Sequence, residues 1–409
     1  MLPAVSMRER MAEVEIDLEK ELFPWHLGVF DAHCHPTDTV ASLDSIASMK
    51  TRALTIMATR EQDQSIVANF ANRLGVSKET MPILMAAEKS QGHVVPSFGW
   101  HPWFSHHIYD DRANSSVQDR QVSSKGDHYG RVICPSPRDD QDFIRSLPDP
   151  RPLSGLLYET RSHLERYPFA LVGEIGLDRS FRIPGTVLID NGYEKDPALT
   201  PGGRDGRRLS PYRVDLDHQR MLLTAQLNLA GEMQRAVSVH GVASHGIVFE
   251  TLKATWQGYE NPVLSKRQRK RRASDGTAYE NEDKPEGEQR KPELASPKPF
   301  PPRICLHSYS GPSDTLKQYL HPSIPVDIFF SFSALVNFSS QSKKAVAVIK
   351  AVPDNRILGE SDLHAAGDRM DDLMEDIIRT ICQIKGWSLE AGVKQLASNW
   401  THFVFGQRR

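Results

Sequence analysis

Eight short, nearly uninterrupted apolar runs punctuate the chain. They cover residues 27–31 leading into His33, then 53–59, 94–99, 169–175, 236–239, 303–306, 326–331 and 357–359. Runs this short, without polar alternation, predict parallel strands buried on both faces. Between them the period changes to that of helices. Over Val214–Gln234, the residues Leu216, Met221, Leu222, Ala225 and Leu229 recur close to helical spacing. Residues 243–256 and 371–384 read as two more helices, with a last one near the C-terminus. Strand alternating with helix predicts an α/β fold with a parallel sheet, and eight repeats predict a closed TIM-type (β/α)₈ barrel.

Three segments break this rhythm. Residues near 107–150 are rich in Asp, Arg, Ser and Pro; those near 182–212 are rich in Gly, Pro and Arg; those near 258–302 are charged and of low complexity. They read as partly disordered insertions in one barrel domain over 27–409, preceded by an N-terminal extension over 1–26. The first two follow the third and fourth strands directly, which places them on the catalytic face of a barrel. The third follows the helix after the fifth strand, so it belongs to the opposite face.

Composition fits a normal core diluted by such segments, with 39% hydrophobic and 25% charged residues in 409. A net charge of −2 supplies no global pull toward nucleic acid or membrane. Six of the seven residues from Lys266 to Arg272 are basic, a run that suits a solvated tail, a nuclear-import signal or a phosphate-contacting arm. Four cysteines without paired spacing suit a reducing compartment. With no apolar stretch of membrane-spanning length and no signal-peptide pattern, the expectation is an intracellular protein, cytoplasmic and/or nuclear, without a membrane partner.

The chemistry gathers where the strands end. Asp31-Ala32-His33-Cys34-His35 closes the first strand, and residues two apart in an extended segment face the same way, so both imidazoles can meet one metal. Glu174 stands in the otherwise apolar run Val172-Gly173-Glu174-Ile175-Gly176-Leu177-Asp178, where a carboxylate is costly unless paired or metal-bound. His240 and His307 end the fifth and sixth strands, and Asp362 follows the eighth. Each has a plainer reading: a chance H-x-H, a buried Glu–Arg pair, satisfied core histidines, a helix N-cap at Asp362. Taken jointly, five strands deliver metal-ligand residue types to the end where a barrel builds its site. Four histidines and two carboxylates suffice for two ions sharing a carboxylate, an arrangement that activates water and stabilises attacking and leaving oxygens. Nitrogen-rich ligation suits Zn²⁺, and mixed His–carboxylate ligation also accepts Mn²⁺ or Mg²⁺.

These motifs, with Gly99-Trp100-His101-Pro102, His307-Ser308-Tyr309-Ser310-Gly311, Glu360-Ser361-Asp362 and the closing Ser398-Asn399-Trp400 through Phe405-Gly406, resemble in order and spacing the motif series of TatD-type metal-dependent hydrolases. The resemblance spans nearly all of residues 27–406 outside the insertions. It implies that His33, His35 and Asp362 hold one divalent ion and His240 and His307 a second, with Glu174 bridging. It implies that His101 lines the substrate pocket, and that the activity is hydrolysis of DNA phosphodiester bonds, often as a 3′–5′ exonuclease. In that reaction Asp362 would accept the proton of the attacking water, and Arg179 or Arg182 would grip a neighbouring phosphate. Length and insertions are most similar to a fungal branch, one member of which is named for interacting with a subunit of the anaphase-promoting complex, which implies a protein partner reached through the insertions.

The sequence departs from the family pattern at three places. Leu363-His364 stands where a proline usually follows shortly after Asp362, Ser308-Tyr309 replaces the usual Phe, and Arg179-Ser180-Phe181-Arg182 follows Asp178 where an aromatic is common. These bear on substrate choice, not on metal binding. Two other functions compete. One is amidohydrolase-like cleavage of a small C–N or C–O substrate, against which the fourth strand offers Glu174 and no lysine. The other is a scaffold role for a cell-cycle complex, which gives no physical reason for six convergent ligands.

Overall fold

The structure is a computed structural model that describes residues 21–86, 92–112, 124–186, 198–200, 202–203, 207–263, 298–339 and 342–406. The basic run 266–272 and most of the N-terminal extension lie outside the described residues.

All eight apolar runs form strands: β1 (Phe30–Cys34), β2 (Ala53–Met57), β3 (His93–Phe98), β4 (Leu171–Asp178), β5 (Val237–Val242), β6 (Arg303–Leu306), β7 (Asp327–Phe332) and β8 (Ile357–Gly359). They pair in sequence order as one parallel eight-stranded sheet. The first and last strands meet just beyond their ends. There Asp362 N–H donates to the His33 carbonyl at 3.0 Å and His35 N–H to the Leu363 carbonyl at 2.9 Å. A buried carboxylate reinforces this seam, since Asp31 accepts from Ser361 N–H at 3.1 Å and Ser361 Oγ at 2.5 Å.

Helices α1 (Glu61–Leu74), α2 (Leu153–Arg166), α3 (Leu216–Glu232), α4 (His245–Thr255), α5 (Ser313–Tyr319), α6 (Ser342–Ala351), α7 (Asp368–Lys385) and α8 (Leu389–Phe405) supply the outer layer. Side chains on the outward face of the strands pack with them into the main core. The inward residues Phe30, Ala53, Val95, Leu171, Ala236, Phe329 and Leu358 meet Trp400 and Phe403 of α8, which fill the N-terminal end of the barrel. Trp400 stacks on Phe30 with centroids 4.4 Å apart and donates its Nε1–H to Thr55 Oγ1 at 3.0 Å. Asn399 Nδ2 donates to the carbonyls of Asp354 and Ile357, both at 2.7 Å, and so fixes the helix against the start of β8.

The described part of the first insertion is more structured than its composition predicts, and residues 187–197, 201 and 204–206 of the second lie outside the described residues. Helices span Lys125–Val132 and Gln141–Ser146. Their Tyr129, Val132, Phe143 and Ile144 share a small core with Ile183 and Val214, so the segments after β3 and β4 pack on each other. Tyr129, Val132 and Ile133 already follow i, i+3, i+4 spacing, a helical signal that the surrounding polar residues mask.

Removing the plug tests this architecture. Trp400→Ala leaves a buried cavity and an unpaired Thr55 hydroxyl, and is expected to cost about 3–5 kcal/mol in urea denaturation; a loss under about 1 kcal/mol would show that α8 does not hold the barrel closed.

Candidate metal centre

Backbone irregularities aim the candidate ligands. Pairing between β1 and β2 slips between Asp31 and Cys34, and pairing between β4 and β5 slips between Val172 and Ile175. Each slip inserts one extra residue, a β-bulge, beside His33 and beside Glu174, and bulges re-aim side chains. The glycines around Glu174 have a steric reason: a Cβ on Gly176 would lie 2.1 Å from the His240 carbonyl oxygen, and one on Gly173 would lie 2.9 Å from Ser97 Oγ.

Glu174 is 2% exposed and has five imidazoles around it. Its Oε2 lies 3.1 Å from His35 Nε2 and 3.4 Å from His33 Nε2. Its Oε1 lies 2.7 Å from His307 Nε2, 2.8 Å from His240 Nδ1 and 3.1 Å from His101 Nε2. Ring nitrogens also crowd one another, with His33 and His35 Nε2 at 3.0 Å and His240 Nδ1 and His307 Nε2 at 3.1 Å. Such contacts satisfy at most one proton per pair, so lone pairs converge with too few donors between them. A divalent cation resolves that conflict. Three groupings place their ligand atoms within 4.8 Å of one another: His33–His307–Asp362, His33–His35–Glu174 and His101–Glu174–His240.

Partners outside this ring set which nitrogen faces inward. His33 Nδ1 pairs with Ser238 Oγ at 2.8 Å, leaving Nε2 to the centre. His240 Nε2 pairs with Asp178 at 3.2 Å, leaving Nδ1. A carboxylate behind a ligating imidazole fixes its tautomer and raises its basicity. His101 is arranged differently. Its Nδ1 accepts the Trp103 N–H at 3.1 Å, and burial lowers the ring to about 4, so the neutral imidazole carries its proton on Nε2. Its Nε2–H therefore points at Glu174 as a hydrogen-bond donor, unlike His33 and His240, whose outer nitrogens are taken by Ser238 and Asp178.

Asp362 is the most open member, its side chain 14% exposed, with Oδ1 3.6 Å from His35 and Oδ2 accepting from Ser308 Oγ at 3.2 Å. The N-cap reading falls, because α7 begins only at Asp368 and Gly367 precedes it. Asp362 and Ser308 have φ of 53° and 38°, the strained left-handed region that persists only where surroundings enforce it. Glu360 does so for Ser308, accepting its N–H at 2.7 Å and its hydroxyl at 2.5 Å. Arg179 and Arg182 are exposed on the loop after Asp178, and the structure does not bring them into the cluster.

Asp178, Glu360, Ser238 and Asp31 are functional neighbours that the sequence reading leaves without roles. For Asp178 a signal existed: it lies four residues after Glu174 in one strand, hence on the same face. The departures from the family pattern also have places. Phe181 stacks on Trp103 with centroids 4.4 Å apart, and Trp103 Nε1 donates to Asp178 at 2.7 Å, so an aromatic wall stands beside the cluster. His364 pairs with Asp38 at 2.7 Å on the opposite rim, and Asp38 is also held by Arg60 at 2.7 Å.

Electrostatics follow from the geometry. Burial alone would raise the Glu174 carboxyl, but His101, His307 and His33 hold it well below the usual range. Burial, with the charge of His307, pulls His33 down to about 3. Burial also works against charge on His35, yet the hydrogen bond and charge of Glu174, with Asp362 and Asp38, carry it up to about 9. A cation must displace that proton. Metal affinity is thus expected to climb as pH rises from about 7 toward 9 and then flatten, with proton release in calorimetric titration. His35→Asn should remove most of the climb; a pH-independent affinity in the unsubstituted protein would contradict this arrangement.

Comparison with known proteins accords with this geometry. Residues 30–404 match the family model described as TatD related DNase. The chain is 35% identical over 376 residues to Cut9-interacting protein scn1 of Schizosaccharomyces pombe, covering 92% of this chain and 98% of that protein. It is 24% identical over 338 residues to Uncharacterized deoxyribonuclease YMR262W of Saccharomyces cerevisiae, covering 81% and 82%. A hydrolase TatD family protein from Entamoeba histolytica has the same fold, with a TM-score of 0.50, 12% identity and coverage of 93% and 99%. The match along nearly the whole barrel places this chain in the TatD family of DNase-related hydrolases.

Proposed function

We propose that this protein is a phosphodiesterase acting on DNA ends, in the manner of a 3′–5′ exonuclease, with two divalent cations held by His33, His35, Glu174, His240, His307 and Asp362. The observation that carries this reading is how Glu174 divides its oxygens, Oε2 toward His33 and His35 and Oε1 toward His240 and His307. One cation would be held by His33, His35 and Asp362, the other by His240 and His307, with Glu174 common to both. A bound pair activates water near neutral pH and stabilises the attacking and leaving oxygens of an in-line displacement. The His-rich, carboxylate-containing donor set suits Zn²⁺, Mn²⁺ or Mg²⁺.

The chain's own groups divide the remaining work. Asp362, the more open carboxylate of the set, takes the proton of the attacking water. His101 directs its Nε2–H at the centre and orients Glu174 or a phosphate oxygen. Arg179 and Arg182 lie on the rim beyond Asp178, where they can hold a neighbouring phosphate of the strand. Trp103 and Phe181 wall off one side from water. The absence of a lysine from β4 disfavours the amidohydrolase alternative, which a screen including cyclic amides and lactones addresses directly.

Glu174→Ala and Asp362→Asn should each reduce metal-stimulated release of nucleotides from single-stranded DNA by roughly a hundredfold or more, with circular dichroism unchanged. Undiminished hydrolysis in both variants would sink the assignment.

A second role has one specific support, the 35% identity to a relative named for interacting with Cut9. We infer a protein partner of that kind, reached through the insertions, and an intracellular site of action, cytoplasmic and/or nuclear. Deleting residues 258–302, within the proposed barrel domain 27–409, should abolish partner capture and leave DNA hydrolysis within about twofold, because its described ends join α4 to the start of β6, on the face opposite the metal centre. Loss of hydrolysis instead would make it part of substrate binding.

A further inference from the structure

A second cavity opens on the same face of the barrel, across the β6 loop from the metal centre. Its volume is about 260 Å³, and its walls come from segments that follow β5, β6 and β7. His245, Tyr309, Ser310, Gly311, Asn337 and Lys344 line it, and none of its lining residues is an Asp or a Glu. That composition contrasts with the carboxylate-bearing cluster next door. Both loops are shared with ligands: His245 follows His240 by five residues, and Ser310 follows His307 by three.

The lining stays open, and it carries a positive charge with no carboxylate in its walls. Asn337 is buried; it accepts the Ser333 N–H at 2.9 Å and donates to the Tyr309 carbonyl at 3.2 Å, which pins the loop over the cavity. Gly311 is needed there, because a Cβ would meet the Tyr309 hydroxyl at 2.3 Å. Lys344, on α6, donates to the Ser310 carbonyl at 2.5 Å, which holds its ammonium over this loop, with no carboxylate partner among the described residues. The His245 ring makes no hydrogen bond among the described residues and lies 5.8 Å from the Tyr309 ring. Burial, then the charges of Lys344 and His240, disfavour its protonation, so His245 offers the space a neutral ring N–H and Lys344 supplies the positive charge. Exposed Val336 adds an apolar edge.

We propose that this cavity is a phosphate subsite that holds the nucleotide adjoining the scissile bond of a nucleic-acid strand, with Lys344 and His245 on the phosphate and Val336 against the sugar. The inference rests on the phosphodiesterase reading above and extends it from one phosphate to two. The volume accommodates a sugar-phosphate and falls below the roughly 300–1,000 Å³ of sites that enclose a whole drug-sized ligand. Lysine–phosphate contacts of this kind add affinity without base specificity and weaken with salt.

The test uses the full-length protein and two measurements. Fluorescence anisotropy in EDTA reads binding of a labelled single-stranded oligodeoxynucleotide; steady-state hydrolysis with metal compares that oligonucleotide with bis(p-nitrophenyl) phosphate, which has no second phosphate. Lys344→Glu and His245→Gln should each weaken oligonucleotide binding, Lys344→Glu by about tenfold with a salt slope reduced by about one. The preference for oligonucleotide over the model diester should fall in parallel, and Lys344→Arg should restore it. Lys317→Glu, the same charge change on exposed α5, controls for net charge and should bind as the unsubstituted protein does. Unchanged binding in both subsite variants, or loss equally large in Lys317→Glu, would overturn the subsite. Displacement by millimolar inorganic phosphate as effective as by unlabelled oligonucleotide would also overturn it, as a site for free phosphate. If the protein cleaves neither substrate yet binds the oligonucleotide in a Lys344-dependent way, the subsite stands and the phosphodiesterase reading falls.

Discussion

A carboxylate sealed inside a protein must be matched by positive charge or hydrogen-bond donors, and in this barrel Glu174 meets that requirement with a ring of imidazoles. Five imidazoles converge on its two oxygens within 3.4 Å. Much of the local architecture serves that convergence. The bulges in β1 and β4 turn ligand-bearing residues inward, and Gly173 and Gly176 let neighbouring strands approach closely. The Asp31–Ser361 bonds draw the first and last strands together, which brings His33 and Asp362 to the same centre.

Around this cluster stands a ring of polar groups that choose tautomers and enforce strain. Ser238 and Asp178 turn His33 and His240, and Glu360 holds Ser308 in a left-handed conformation beside His307. His101 shows the consequence of this control most clearly. Its proximity to Glu174 matches that of the ligands, yet the backbone N–H on its Nδ1 makes it a donor. Distance alone does not tell it from the other imidazoles around Glu174; the proton on its Nε2 does.

Around the cluster, the rim differs from arc to arc. The wall of Trp103 and Phe181, the Arg60–Asp38–His364 chain and the Lys344–His245 cavity occupy three different arcs around one centre. Two of these arise where the chain departs from its family's usual residues, at Phe181 and at His364. The packed insertions after β3 and β4 fix the first of them, because Ile183 in their small core lies two residues from Phe181. A catalytic centre held constant by the barrel, with a rim rebuilt by loops, is how this fold class diversifies.

How much of this the sequence determined depends on the range of the interaction involved. The eight strands follow from local apolar runs, and their parallel order follows from the helical spacing between them; both are short-range signals. The ligand residue types also stood out, because His or Glu at the end of an apolar strand has few inexpensive explanations. What remained hidden were relations between residues far apart in the chain. The pairing of Asp178 with His240, of Ser238 with His33 and of Glu360 with Ser308 depends on which strand lies beside which and on a one-residue bulge in each of two ladders. The N-cap alternative at Asp362 was equally undecidable from spacing, and the start of α7 at Asp368 removed it. Sequence therefore specified the strands and the kinds of atoms they carry, whereas tertiary structure decided which nitrogen faces inward, since a tautomer is set by a partner that only folding brings within reach.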